Sequence, residues 1–324
     1  MSRYFHPALV FLALSCLVTT TSSQETKKTT TTDSSVSGKQ GVSLAKSGHC
    51  KEALPALKKA AVHSVEASLR REVGFAGVRC AMSAGETDAA VDFLRFLKSE
   101  FPHDPEVLYV AVHTYSDAST RTSLELAKSA PASVQAHQLN AESLEVQGKW
   151  DEAEKEYRQV LTQNPRQPGI HYRLGRILLS KPDFGPPAAE QAKKEFQHEL
   201  EIDPSNAGAE YVLGALARQN QEWDDAIQHF SRATKLDASF GDAFLDLGTS
   251  FVSAKKYAEA IPPLETAVKL EPQNPAAHYN LAVAYRRDGR KADADREFAI
   301  HRKMTEQNDA LQGQQPGTPQ QDPN

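Results

Sequence analysis

Histidines and paired carboxylates are the residues of this sequence whose chemistry could hold a metal ion or move a proton. The pair His198-Glu199 begins like a zinc motif in which a second histidine follows the glutamate by three residues, but Ile202 stands at that place. Acidic pairs such as Asp224-Asp225 fall in the first turns of predicted helices, where carboxylates stabilise the helix dipole. A glycine-rich phosphate loop and a Gly-x-Ser-x-Gly nucleophile motif are both missing from the sequence. We therefore predict no catalytic residue, no metal site, no cofactor and no enzymatic activity.

The three cysteines of the chain are Cys16, Cys50 and Cys80. Cys50 follows His49, so these two residues could be combined with Cys80 as metal ligands, but a second close pair of ligands is missing. In an exported protein, Cys50 and Cys80 can form a disulfide. The other interpretation is that both are free thiols that pack as small hydrophobic residues. The sequence leaves these two interpretations open.

A repeated pattern of apolar residues predicts the helices that must position any binding residue. Residues 241–274 form two short amphipathic segments joined by a turn, and Pro272 ends the second. The same pattern occurs three times. Its equivalent leucines are Leu213, Leu247 and Leu281, each 34 residues after the one before. Three kinds of position recur in register, namely a large residue with a small neighbour, an alanine, and a bulky residue: Leu213-Gly214, Leu247-Gly248 and Leu281-Ala282; Ala226, Ala260 and Ala294; Phe230, Leu264 and Phe298.

A period of this length built from helix, turn and helix resembles the tetratricopeptide repeat. The resemblance implies an all-α fold, a right-handed superhelical solenoid of antiparallel helix pairs, with about eight repeats over residues 38–306. Two copies depart from the period. The third is short, with its second helix expected near Ser123 to Lys128, and the fifth carries an insertion at residues 181–187. Phe184 in that insertion belongs either to a contact loop or to a neutral addition at the surface.

The N-terminus is typical of a secretory signal peptide over residues 1–23, with an apolar run at residues 8–18 followed by small polar residues. The run is about half as long as a membrane-spanning helix needs. An alternative is a bacterial lipoprotein signal ending at Cys16, although Ala13 stands where that pattern prefers leucine. We expect an exported bacterial protein, periplasmic or secreted, which lipidation at Cys16 would attach to the outer membrane.

The two segments that flank the repeats are poor in apolar residues. Residues 24–37 are rich in threonine and serine, and residues 307–324 are rich in glutamine and proline. Such segments bury too little apolar surface to offset their ordering entropy, so we predict a flexible linker and a disordered tail. The net charge of −5 gives no electrostatic case for a nucleic-acid partner.

The resemblance implies a scaffold that binds a protein or peptide segment in a concave groove, outside the cytoplasm in this case. Two alternatives remain, an enzyme or enzyme accessory whose site is assembled across repeats, and an outer-membrane lipoprotein subunit of an envelope assembly. A cytosolic clamp for a C-terminal carboxylate fits poorly, because the family's clamps use lysine and asparagine at set groove places. The matching places here hold Tyr172, Arg176, Val212, Asp242 and Asp246.

The groove itself is predicted from the family pattern, in which the first helix of each pair lines the concave face. The place that points into the groove often holds tyrosine here, with arginine one helical turn away. Tyrosine offers a rigid apolar ring with a polar tip and arginine pairs with carboxylates, so we expect a partner with acidic side chains. The other interpretation is that the rings pack between helices and the arginines are solvated. The predicted groove residues are Tyr109, Tyr172, Arg173, Arg176, Tyr211, Arg218, Tyr279, Arg286 and Arg287.

Overall fold

The computed structural model describes residues 35–62, 66–182 and 185–312. The predicted signal peptide with Cys16, most of the predicted linker, Phe184 and residues 313–324 lie outside these ranges. The described residues form helices and turns without a strand, so the all-α prediction is confirmed. Within the same ranges, no helix has both the length and the apolar character that a membrane span requires. The chain divides after Lys128 into two compact units, which we describe separately.

The first unit contains two antiparallel helix pairs and one longer helix. A disulfide joins Cys50 to Cys80, with their Cα atoms 4.8 Å apart. The structure therefore selects the disulfide over free thiols and over metal ligation by these cysteines. The helices are α1 (35–46), α2 (Cys50–Val62), α3 (Ala67–Ala84), α4 (Thr87–Glu100) and α5 (Pro105–Ser129), and the disulfide connects α2 to α3.

Helix α5 corrects the prediction for the third repeat. A separate second helix was expected near Ser123 to Lys128, but a single helix of 25 residues runs through this segment. Neither glycine nor proline follows Pro105 within the helix, so no residue favours a turn. The hydroxyl of Ser123 donates to the carbonyl four residues earlier, as do two neighbouring threonines, which satisfies these side chains within the helix. The described residues thus form seven helix pairs and one single helix.

The second unit is a stack of five antiparallel helix pairs. In four of the pairs a turn of three residues connects the two helices, and each second helix also packs on the first helix of the next pair. The pairs are α6 (Val134–Val146) with α7 (Trp150–Gln163), α8 (Ile170–Ser180) with α9 (Pro186–Ile202), α10 (Ala207–Gln219) with α11 (Trp223–Leu236), α12 (Gly241–Ser253) with α13 (Tyr257–Leu270), and α14 (Pro275–Arg287) with α15 (Lys291–Gln312).

Small residues in the first helices let the two backbones of a pair approach closely. A Cβ atom at Gly214 would lie 2.8 Å from the ring of Phe230 on the second helix. A Cβ atom at Gly248 would lie 2.3 Å from Leu264. Real carbon–carbon contacts are about 3.5–4.0 Å, so glycine is what permits these bulky residues to reach the first helix. The recurring small and bulky positions read from the sequence are therefore packing partners.

The turn between the helices of a pair depends on one left-handed residue. Gly148 has φ 70° and Gly289 has φ 87° at this place. Gln221 and Lys255 occupy the same place in the α10–α11 and α12–α13 pairs, with φ 63° and 60°. Residues with a Cβ rarely adopt this conformation, so these two turns carry backbone strain that glycine would avoid.

Both ends of the repeat region extend beyond the predicted boundaries. Helix α1 already contains residues 35–37, which were assigned to the linker, and the hydroxyl of Ser37 donates to the carbonyl of Ala56 at 3.2 Å. Helix α15 continues to Gln312, six residues past the predicted end. Residues 291–312 contain neither glycine nor proline, and α15 ends just before Gly313, the first residue that favours a helix end.

Candidate functional site

Eight of the nine predicted groove residues lie on first helices of the second unit, namely α8, α10 and α14. We call the surface formed by α6, α8, α10, α12 and α14 the first-helix face. Tyr172 of α8 is half-buried, and its ring centre lies 5.7 Å from that of Phe196 on α9. A Cβ atom at Gly208 of α10 would lie 2.9 Å from the Tyr172 hydroxyl. The Tyr172 ring therefore fills the space where α8, α9 and α10 meet.

A buried glutamate holds the start of α8 and so fixes the position of Tyr172. Glu199 of α9 is fully buried and accepts hydrogen bonds from the backbone N–H groups of Gly169, at 2.7 Å, and Tyr172, at 3.2 Å. These N–H groups belong to the helix terminus that has no partner within the helix. Sequence reasoning treated Glu199 as part of a failed zinc motif and missed its role as a helix cap.

Tyr211 on α10 is tied to the charged residues beside it. Its hydroxyl donates to Asp246 Oδ2 of α12 at 3.0 Å, and Arg218 lies 3.0 Å from Oδ1 of the same carboxylate. The Tyr211 ring also contacts those of Phe230 and Phe240, with centres 5.5 and 4.8 Å away. Burial raises the pKa of Asp246, while Arg218 and the Tyr211 hydroxyl oppose that rise. Burial and the Asp246 carboxylate raise the pKa of Tyr211 in turn.

The arginines of α8 pair with acidic residues of α6. Arg173 lies 3.0 Å from Glu145 and 3.4 Å from Glu142. Glu145 also accepts a hydrogen bond from the hydroxyl of buried Tyr157 at 3.0 Å. Arg176 is only 3.9 Å from Glu145 and is half exposed, with its guanidinium 6.0 Å from the Tyr172 ring centre. Arg173 is thus held within the protein, whereas Arg176 is loosely held.

The last pair presents three accessible members of the predicted set. Tyr279 on α14 is 47% exposed, and its ring packs edge-on against Phe298 at 5.9 Å. Arg286 lies over the same phenylalanine ring at 5.7 Å and is exposed. Arg287 is exposed and has no ion-pair partner among the residues that the structure describes.

Tyr109 lies in the first unit, on α5. Its side chain is 65% exposed, and its ring lies 4.5 Å from that of His113 in an edge-on contact. It is more exposed than Tyr279, which is 47% exposed.

The first-helix face also contains a cavity that the prediction did not name. We call it the α10 cavity; its volume is about 650 Å³. Arg218 is the predicted groove residue that lines it. A signal for it was present in the sequence, because Val212, Ala215, Leu216 and Gln219 form a second stripe at helical spacing, beside the core stripe of α10. The cavity is lined by Leu179, Val212, Ala215, Leu216, Arg218, Gln219, Trp223, Thr249 and Ser253.

A comparison with known protein families identifies the repeats of the second unit. A family model of the tetratricopeptide repeat matches residues 139–185, 187–239 and 245–298. These three segments are tetratricopeptide repeats. The matched segments cover most of the first-helix face, including the α10 cavity. The tetratricopeptide fold supports a protein–protein interaction scaffold, and members of the family are typically non-enzymatic.

Individual relatives of the chain are distant. The small glutamine-rich tetratricopeptide repeat-containing protein 2 of Mycosarcoma maydis is 28% identical over 111 residues, which are 34% of this chain and 30% of that relative. The crystal structure of the MamA protein covers 57% of this chain and 98% of its own, with a TM-score of 0.48 and 22% identity. The structure of YrrB, described as a tetratricopeptide protein with an unusual peptide-binding site, covers 56% and 91%, with a TM-score of 0.49 and 17% identity.

Proposed function

We propose that this protein is an extracytoplasmic scaffold that binds a segment of a partner protein on the first-helix face of its second unit. The observation that carries the proposal is the α10 cavity, which opens on that face and is lined mainly by apolar side chains. A water-exposed apolar recess with a few polar groups at its edge is the usual form of a binding site. An apolar side chain of the partner is its expected occupant.

The acidic character of the partner is proposed from the arginines that the protein does not already pair. Arg218 is engaged by Asp246 at 3.0 Å and Arg173 by Glu145 at 3.0 Å, so a partner carboxylate would have to displace an internal one at either place. Arg287 is exposed without such a pair among the described residues. Acidic side chains of the partner are therefore proposed to pair with Arg176, Arg286 and Arg287.

Two features support a location outside the cytoplasm. The Cys50–Cys80 disulfide is a bond that oxidising compartments maintain and that the cytosol disfavours. The apolar run at residues 8–18 has the composition of an export signal. N-terminal sequencing of protein isolated from its native cell tests the proposal. A start near residue 24 supports a secretory signal, a blocked Cys16 supports the lipoprotein, and a start at Met1 or Ser2 refutes export.

Filling the α10 cavity tests the binding site. Ala215 is half-buried in the cavity wall, and Ala215→Trp would occupy the recess. Ala258→Trp, on the exposed surface of α13, is the matched control for added bulk. Both proteins would be captured from the native envelope and their bound partners identified and quantified by mass spectrometry. Loss of the same partner from Ala215→Trp alone supports the site.

The proposal fails if both variants retain the wild-type amount of that partner. It also fails if both lose the partner equally while their helix content, measured by circular dichroism, is unchanged. In either case the cavity would not be the place where the partner binds.

A further inference from the structure

Two histidines and a glutamate converge on the surface between α8 and α9. His171 lies on α8, and Glu195 and His198 lie three residues apart on one face of α9. Each side chain offers one ligand atom, and these atoms all lie within 4.8 Å of one another. Within the part of the chain that the structure describes, no other group of three such side chains brings its donors this close.

The pairing of His171 with Glu195 is a regular feature of the second unit. A histidine and a glutamate join the two helices of a pair in four of the five pairs, through Nδ1 and a carboxylate oxygen. In α10 and α11 the two residue types exchange helices. The pairs are His137 with Glu156 at 2.5 Å, His171 with Glu195 at 2.6 Å, His229 with Glu210 at 2.6 Å, and His278 with Glu297 at 2.6 Å.

What distinguishes α8 and α9 is the third donor. His198 stands one helical turn after Glu195, and its ring centre lies 5.3 Å from that of His171. The equivalent place after Glu156 is Gln159, and after Glu297 it is Ile300. A two-residue pair is explained by packing alone, whereas a second imidazole over the same carboxylate adds a donor that the packing does not require.

We propose that His171, Glu195 and His198 bind a divalent transition-metal ion, with Zn²⁺ as the best match. Two imidazoles and one carboxylate are a ligand set that zinc accepts, with bonds of about 2.0–2.2 Å and a fourth position open to water. Rotation of the three side chains closes the present separation, and the short His171–Glu195 hydrogen bond opens to admit the ion. His198 is exposed and the other two side chains are half-buried, so the ion can enter from solvent.

The ion would brace the helix pair that has the longest connection. Residues 181–185 separate α8 from α9, whereas only residues 147–149 separate α6 from α7. A metal ion that joins His171 to α9 would fix the two helices near the end remote from this connection. We therefore expect metal binding to raise the thermal stability of the protein.

One cation opposes the site and supplies a second test. The guanidinium of Arg158 on α7 lies 3.6 Å from Glu195 Oε1, so it competes with a metal ion for that carboxylate. Arg158 also pairs with Glu154 at 2.7 Å and can remain there when the ion binds. Because removing a nearby positive charge strengthens the attraction of the carboxylate for a cation, Arg158→Gln is expected to tighten zinc binding.

The proposal is tested by titrating Zn²⁺ into the untagged, chelator-treated full chain in a calorimeter. The wild type should bind one equivalent, and His198→Gln should weaken the Kd tenfold or more. His137→Gln removes a histidine from a pair without a third donor and should leave the Kd unchanged. Gln159→His places the third donor beside His137 and Glu156, so this variant should bind a second equivalent.

Three results would overturn the proposal. They are the lack of saturable binding by the wild type, equal binding by wild type and His198→Gln, and a Gln159→His variant that gains no zinc. Circular dichroism of each variant establishes that its helices are intact. Arg158→Gln is expected to bind zinc more tightly and Gln159→His to bind a second equivalent, and loss of folding can produce neither result.

Discussion

Ala260→Leu is the substitution that tests the repeat register most sharply. Ala260 lies on α13, is 0% exposed and belongs to the core shared by α12, α13 and α14, together with fully buried Leu264 and Ala284. Gly248 of α12 already allows Leu264 to approach more closely than a Cβ would permit. This part of the core therefore has no room for the three extra carbon atoms of leucine.

The expected loss follows from that packing. Extra methylenes in a well-packed core cost about 1–3 kcal/mol. For a domain of about 150–250 residues, each kcal/mol lowers the Tm by about 2–4 °C, so we expect Ala260→Leu to lower the Tm by roughly 2–12 °C. Ala258, two residues earlier on the same helix, is exposed. Ala258→Leu should change the free energy of unfolding by less than about 0.5 kcal/mol.

Thermal unfolding of the two variants, followed by circular dichroism, measures the difference directly. Because unfolding of repeat arrays can depart from two states, urea unfolding of the same proteins provides an independent comparison. Equal Tm values for Ala260→Leu and Ala258→Leu would refute the assignment of Ala260 to the contact between the helices.

Four other substitutions have results that the structure determines. Gly289→Ala should lower the free energy of unfolding by about 1 kcal/mol. The space around the glycine is open, but its φ of 87° is one that alanine rarely adopts. Lys255→Gly, at the same place in the preceding pair, should raise the free energy of unfolding, and urea titrations measure both changes. Glu199→Ala should cost about 1–3 kcal/mol in the same assay, because two N–H groups at the start of α8 lose their acceptor. Because the pKa of Asp246 is raised in the folded state, its carboxyl group holds a proton more tightly there than in the unfolded state. The stability of wild type relative to Asp246→Asn should therefore fall as the pH rises from about 4 through the raised pKa, and a constant difference across that window would contradict the assignment.

The sequence was sufficient to predict the helix pairs because their packing repeats. Leu213, Gly214 and Phe230 are fixed by contacts inside one pair and between neighbours, so the same residue types return at each copy. Helix α5 was not predicted as a single helix because the separate second helix expected near Ser123 to Lys128 depended only on the period. Nothing in the local sequence breaks the helix there, and local propensity prevailed.

The helices that carry the predicted groove residues could be predicted from the sequence, whereas the contacts of these residues could not. The family pattern correctly places Tyr172 and Tyr211 on first helices, but their rings also pack against neighbouring helices. The pairing of Arg218 with Asp246 joins α10 to α12, and a contact between residues so far apart in the chain cannot be read from helical periodicity. The Cys50–Cys80 disulfide was left open for the same reason.

The central claim is that a partner binds at the α10 cavity. The most direct measurement places a photo-crosslinking amino acid at Leu216, which lines the cavity, or at Ala258 on the exposed surface of α13. Irradiation of cells that carry each variant, followed by mass spectrometry, identifies what each position touches. The account predicts one abundant protein adduct from position 216 that is missing at position 258. An adduct to the same partner from position 258 and none from position 216 would contradict it.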